Sequence, residues 1–529
     1  MPTPADPPSS SLDEVYAFLK QFNLYDSLAF LSTINAALKF GTRELARQNI
    51  STEIISWISN FDVATRLNIY INTSRIARFL LLSEAHNFGD RKLSLSDDSY
   101  STAYNIVGNL WDKDVETVDE KNLNVNQWFG RTSQWQFPLQ QNRLTSIGRA
   151  YLLFYLLPKS IPLAYSMEDK MREYFQIGLF EWMATGMAFW LMTNGVLDYE
   201  LKTEIDHLKH IVTPQNLITF RDLSSGDARA YKKEMRGEHW NTINKKLDIY
   251  RLDPFNKMPC IQVTFSRTLR NNTYLVPNAK YLLDRVGSGI FYLLSDKEQE
   301  IAEREGLKDR KNPFRQMFGD LYRAYVGEHL KQACSPIELI DLDKNPPKTT
   351  GKVPDFALVM GNSCILFEVK LSLLTLDSKT FFDEDRLKKE AKSGSINKAI
   401  NQLNSFREGI LKKQITHDKF SDIQKVFVIL VGYEDIFTAN SALLPLLEEE
   451  YGSIIDNFQL ACISDIEVIG TVLENKGNLF QFLNEKTDDP NLRIWSLTAF
   501  LEPKMGPDNK LVRSAYDTFM KHLIHGDKE

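Results

Sequence analysis

The segment Val353–Lys370 reads VPDFALVMGNSCILFEVK. It consists of two short apolar runs around Gly361-Asn362, and a Gly/Asn pair between such runs signals a tight β-hairpin. With a two-residue turn, Met360 lies opposite Ser363, and the same register puts Asp355 opposite Glu368. Residues directly opposite sit roughly 4.5–5.5 Å apart at Cβ, where like charges repel. Side chains alternate along a strand, so Lys370 shares a face with Glu368. Two carboxylates and an ammonium therefore crowd one patch of an otherwise apolar hairpin. A divalent cation between the carboxylates turns that repulsion into binding, because hard cations take oxygen ligands. An exposed hairpin whose charges point to water satisfies the same pattern.

The chain around this hairpin has 529 residues, enough for about two to four domains. Its net charge of -6 argues against a globally basic nucleic-acid coat, so any contact with phosphates must come from local patches. The four cysteines, Cys260, Cys334, Cys364 and Cys462, never form CxxC. That spacing argues against a zinc ribbon or a disulfide scaffold and fits a reducing, cytoplasmic setting. The N-terminus, MPTPADPPSSS, lacks a signal or transit pattern. The longest oily stretch, Met183–Leu197, is broken by Thr185, Thr193 and Asn194. It is shorter than the roughly 20 residues a membrane span needs and reads as a buried helix.

Ser11-Leu-Asp-Glu14 has the S-x-x-E form of a capping box and starts the first helix. Helical periodicity dominates from there to about Leu252, with Leu67, Ile71, Ile76, Phe79 and Leu80 on one stripe. Past Arg251-Leu-Asp-Pro254 the pattern changes. Strands are expected at Ile261–Phe265, Ile337–Leu342, Val426–Val431 and Leu460–Ile463, with helices at Lys280–Leu294, Phe314–Gln332 and Ile396–Leu411. The wholly apolar Val426–Val431 suits a central strand buried on both faces. The expected architecture is a multidomain α+β or α/β chain. A helical region, 1–255, for recognition, sensing or dimerisation precedes an α/β domain, 256–529, built on one mixed sheet.

On the Phe314–Gln332 helix, Phe314, Met317, Phe318, Leu321 and Tyr325 mark the buried stripe, and Glu328 continues it. A carboxylate on a core-facing stripe calls for a cation, an arginine or the core's edge. Glu328, then Pro354-Asp355, then Glu368-Val-Lys370 resembles the PD-(D/E)XK nuclease superfamily, over about 150 residues from Pro313 to Ile463. The resemblance implies a restriction-endonuclease-like αβββαβ core. It also implies that Glu328, Asp355 and Glu368 hold Mg²⁺, with Mn²⁺ as the alternative, and that Lys370 aligns or activates the attacking water. Phosphodiester hydrolysis needs such chemistry, since a bound metal lowers the pKa of water and neutralises the phosphate.

By the same resemblance a polar residue on the Ile396–Leu411 helix faces the substrate, Gln402 first and Lys398 second. The implied activity is metal-dependent cleavage of DNA, with a restriction or phage-defence role. Cleavage of RNA or tRNA, and a non-catalytic nucleic-acid-binding or scaffold protein keeping the fold, stay open. So do a homodimer and an activating partner or trigger.

From Lys370 to Lys425 there are 12 Lys and Arg against 8 Asp and Glu, a surplus of four in an acidic chain. Lys388, Lys389, Lys392, Arg407, Lys412 and Lys413 are the candidates for a phosphate-facing patch. Trp128, Phe129, Arg131, Trp135 and Phe137, with Arg143 and Arg149 nearby, interleave aromatics and arginines as a base-stacking surface or a helix core does. His207 and His210 near Glu204 sit on a charged helix and read as a solvated face. No GxxxxGK[ST] or GxSxG motif occurs.

Overall fold

The computed structural model describes residues 11–39, 50–87, 89–116, 143–197, 208–236, 252–271, 273–307, 311–349, 351–374, 384–435, 439–452, 457–506 and 509–525. The chain forms two compact units. The first comprises Met1–Leu123, Met167–Leu294 and Met520–Glu529, and the second Asn124–Ser166 and Ser295–Phe519.

The first unit is mainly helical. Ser11 caps its first helix by accepting from Glu14 N–H, and Glu14 answers at the Ser11 N–H, so the capping box is formed. The Val63–Leu82 helix packs on Leu24–Lys39. From Thr73 to Leu82 it is buried all round rather than along one stripe. The oily stretch divides: Leu179–Met192 is a buried helix, and Gly195, with φ +99°, turns the chain into a short strand. Among the described residues no helix is long and apolar enough to cross a membrane.

That strand, β1 (Val196–Leu197), belongs to a small mixed sheet with β2 (Ser225–Gly226), β3 (Cys260–Gln262) and β4 (Tyr274–Leu275), in the order β1-β4-β3-β2. The expected boundary at 255/256 falls within the first unit's Met167–Leu294 segment. Val196 pairs with Leu275, so the segment after residue 255 is tied to the preceding helical region. The expected Lys280–Leu294 helix is also two helices, Lys280–Val286 and Gly289–Arg304.

The second unit is built on a five-stranded mixed sheet. Its strands are β5 (Glu338–Asp341), β6 (Phe356–Met360), β7 (Ser363–Lys370), β8 (Lys425–Gly432) and β9 (Phe458–Ala461), in sequence order. β5, β6 and β7 are antiparallel, whereas β7, β8 and β9 are parallel. β8, between β7 and β9, is buried along nearly its whole length, as an apolar central strand must be.

The β6–β7 hairpin has the expected register, with Met360 opposite Ser363 and Phe356 opposite Phe367. Gly361 takes φ +58°, the positive value that the first central residue of a II′ turn needs. One sheet face carries Ala357, Val359, Cys364, Leu366, Val428 and Leu430. It packs against the Ser395–Leu411 and Ala439–Tyr451 helices. The Pro313–Leu330 helix lies on the other face, where a Cβ on Gly327 would meet the Phe356 ring at 3.1 Å.

Candidate active site

Pro354 has no N–H to give the ladder, and β6 begins only at Phe356. β7 runs on to Lys370, three residues beyond Phe367, its last residue paired with β6. Here the Asp355 N–H still donates to the Phe367 carbonyl at 3.0 Å, and the Val369 N–H donates to the Asp355 side chain, at Oδ2, at 2.7 Å. Alternation then sets Glu368 and Lys370 on the face of the Ser395–Leu411 helix.

Glu368 is buried, with 3% of its surface exposed, whereas Lys370 is one-third open to solvent. The Lys370 ammonium donates to Glu368 Oε1. From the facing helix, Gln402 Nε2 donates to Glu368 Oε2 at 2.8 Å and to the Val353 carbonyl at 3.0 Å. One amide thus ties the buried carboxylate to the segment that carries Asp355 into β6. Burial, reinforced by the Asp355 charge, pushes the Glu368 carboxyl up to about 7, against the hydrogen bonds from Lys370 and Gln402. Burial also raises Asp355, against the Val369 N–H and the Arg323 charge.

Asp355, Glu368, Lys370 and Gln402 are therefore brought together. Glu328 is not with them. It is half-exposed and pairs with Lys331 one turn on, at 2.5 Å. Its helix covers the Phe356 face, whereas Glu368 points to the other, where it meets Gln402. Among the described residues no three His, Cys, Asp or Glu side chains are grouped as metal ligands. Two adjacent carboxylates, one held up near 7, still suit a hard divalent cation that keeps water in its other positions.

Lys398 is exposed, one turn before Gln402. Of the basic candidates, Lys388, Lys392 and Lys412 pair with Glu449, Glu450 and Glu408. Trp128, Phe129, Arg131, Trp135, Phe137, Glu204 and His207 lie outside the described residues, and His210 is exposed.

The side chain of the Pro313–Leu330 helix that does reach the site is Arg323. Its Nε donates to Asp355 Oδ1 at 2.9 Å, and its Nη2 lies 2.6 Å from Asp341 and 3.0 Å from Asp343. The guanidinium lies over the Phe356 ring, 4.4 Å from its centroid. Sequence reasoning missed it, although a signal was present. Asp341 ends β5 opposite Phe356, so Asp341, Asp343 and Asp355 converge at one sheet end and call for a cation. No family model, curated protein or solved structure matches the chain.

Proposed function

We propose that the second unit is a metal-dependent nuclease with a restriction-endonuclease-like core and that Asp355, Glu368 and Lys370 form its active site. The observation that carries the reading is the local geometry. A buried Glu368 lies beside Asp355, whose carboxylate accepts from the Val369 N–H next to it, while Lys370 reaches Glu368 from two residues on. Asp355 and Glu368 would hold Mg²⁺ or Mn²⁺, which when bound acidifies water and offsets phosphate charge. Lys370, open to solvent on one side, orients the water and neutralises charge developing on the phosphate. Gln402 fixes the Glu368 carboxylate. Glu328 has no part in this reading. DNA is the favoured substrate and RNA the alternative, a choice that rests on the superfamily resemblance, as does a restriction or phage-defence role.

The test is incubation with plasmid, single-stranded DNA and RNA in Mg²⁺, Mn²⁺ or EDTA. Lys370→Ala and Asp355→Ala are each expected to remove cutting, by at least about a hundredfold, with the fold intact by circular dichroism. If both variants cut like wild type, the assignment fails.

One observation favours a second reading, a binding or scaffold protein. Both oxygens of Asp355 and both of Glu368 already accept hydrogen bonds within the protein. A gel shift without cleavage, unchanged in Glu368→Ala, would support it.

A further inference from the structure

The geometry points to Arg323 as a built-in competitor for the cation site: its guanidinium holds Asp355 until a divalent cation takes that carboxylate, and Asp341 with Asp343 then keeps it. This inference deepens the reading of Asp355 and Glu368 as cation ligands and rests on it.

The argument is one of positions. Arg323 contacts Asp355 through Nε at 2.9 Å but contacts Asp341 and Asp343 through Nη2 at 2.6 and 3.0 Å. The two sets of carboxylates use different nitrogens of one planar fork, and Nη2 also donates to the Asp355 main-chain carbonyl at 3.3 Å, a bond that does not occupy the Asp355 carboxylate. Loss of the Asp355 bond therefore leaves the charge still paired. The ring of Phe356 supports the guanidinium from below, and a cation over an aromatic face stays favourable wherever the outer nitrogen points. The side chain is only 22% exposed, so it cannot simply float off into water. Asp355 Oδ1, the oxygen taken by Arg323, is the freer of its two, because Oδ2 is fixed by the Val369 N–H of the strand end. A cation recruiting Asp355 must displace Arg323 from Oδ1 or break the backbone bond. The first requires only a shift of the fork.

Lys344 also bonds Asp341, at 3.3 Å, from an exposed position. It can follow or leave Asp341 as Arg323 moves, so the resting place for the arginine is adjustable. Arg323 is thus a positioning residue, not a catalytic one.

The experiment measures Mn²⁺ binding by electron paramagnetic resonance, with full-length wild type, Arg323→Gln, Asp341→Asn and Asp355→Asn. Thermal unfolding with and without Mn²⁺ provides the second readout. Arg323→Gln is expected to bind Mn²⁺ roughly tenfold more tightly, since a charge-assisted competitor is gone. Asp341→Asn is expected to bind several-fold more weakly, because Arg323 then keeps only the more exposed Asp343 besides Asp355 and leans harder on Asp355. Both differences persist at about 0.5 M salt, where a mere change in the surrounding field is largely screened.

Equal or weaker binding by Arg323→Gln, or a gain that vanishes in salt, overturns the inference, provided Asp355→Asn has lost its Mn²⁺. If Asp355→Asn binds as wild type does, or wild type binds none, the cation-site reading itself fails and takes this one with it. Should Arg323→Gln not fold, Asp341→Asn decides alone: unchanged or tighter binding there refutes the competition.

Discussion

Arg149 and Glu368 are both withdrawn from water in the sheet-bearing unit, yet the groups around them differ in kind. Arg149 forks onto Glu467, with 2.5 Å from Nε to Oε1 and 2.9 Å from Nη2 to Oε2, and reaches Asp435 at 3.2 Å. Tyr325 donates to Glu467 at 2.7 Å, and Ser464 donates to Asp435 from its N–H and its hydroxyl. Burial opposes the ionised Asp435, but the Arg149 charge and the Ser464 donors outweigh it and hold that carboxyl below the usual range. Glu368 is equally dry, but its near neighbours include a second carboxylate, and its carboxyl rises to about 7. Burial is therefore common to both clusters, and the balance differs: around Asp435 the Arg149 charge and the Ser464 donors outweigh it, whereas around Glu368 the Asp355 carboxylate adds to it and the Lys370 and Gln402 bonds do not offset the sum. A carboxylate matched by an arginine fork holds the fold. One facing Asp355 is a place where added positive charge is favoured.

The strongest way to break this comparison is Glu467→Ala. It leaves Arg149 buried with only Asp435, and removing one partner of a buried pair costs about 3–5 kcal/mol. Urea unfolding is expected to show a loss of that size. A change below about 1 kcal/mol would mean the Arg149 cluster does not hold the fold.

Glu368→Gln is expected to act in the opposite direction. The folded-state pKa of Glu368 is raised from 4.5 to about 7. Between those values the folded chain keeps a proton that the unfolded chain has released. The stability contributed is thus full below 4.5 and is lost as pH rises through about 7. Up to about 3 kcal/mol is at stake, and glutamine, which cannot titrate, removes the dependence. In EDTA, the wild-type curve minus the Glu368→Gln curve should fall from pH 5 to 8 and then level. A flat difference would place Glu368 with the matched carboxylates.

Mg²⁺ should reverse that slope. A carboxyl must lose its proton to ligate, so the rise in melting temperature on adding Mg²⁺ is expected to grow as pH approaches about 7. Below that, apparent affinity changes about tenfold per pH unit. Affinity independent of pH from 5 to 8 would sever Glu368 from the cation.

The hairpin is legible in the sequence because alternation and a Gly-Asn turn fix register locally; the pairing runs from Met360–Ser363 to Phe356–Phe367, and Asp355, one residue beyond, is held by the Phe367 carbonyl and the Val369 N–H. Gln402 is legible as a polar position on the helix flanking the site; expected to face the substrate, it bonds Glu368 and the Val353 carbonyl. Glu328 misleads because a helical stripe tells which residues are buried but not which sheet face the helix covers. Arg323 and the Arg149 network are illegible for a related reason. Each joins segments 18 or more residues apart in the chain, and no local period encodes such meetings. The boundary near 294 leaves no mark because β1, two residues long, is too short to announce itself, yet its pairing ties the segment after residue 255 to the helical region.

The smallest expected effect belongs to Gln402→Ala, and it sharpens the comparison most finely. Gln402 is to Glu368 what Tyr325 is to Glu467: one neutral donor on one carboxylate oxygen. Removing either hydrogen bond should cost about 1 kcal/mol. Their other consequences should differ. Tyr325→Phe leaves Glu467 clasped by the Arg149 fork, so only stability changes. Gln402→Ala frees Glu368 Oε2 and cuts its link to the Val353 carbonyl, so Glu368 can swing away from Asp355. Mn²⁺ binding should then weaken about fivefold, and the pH at which Glu368 titrates should rise, because a donor to the charged form has gone. Equal Mn²⁺ affinity in Gln402→Ala and Tyr325→Phe would show that the amide does no more than fill space beside the sheet.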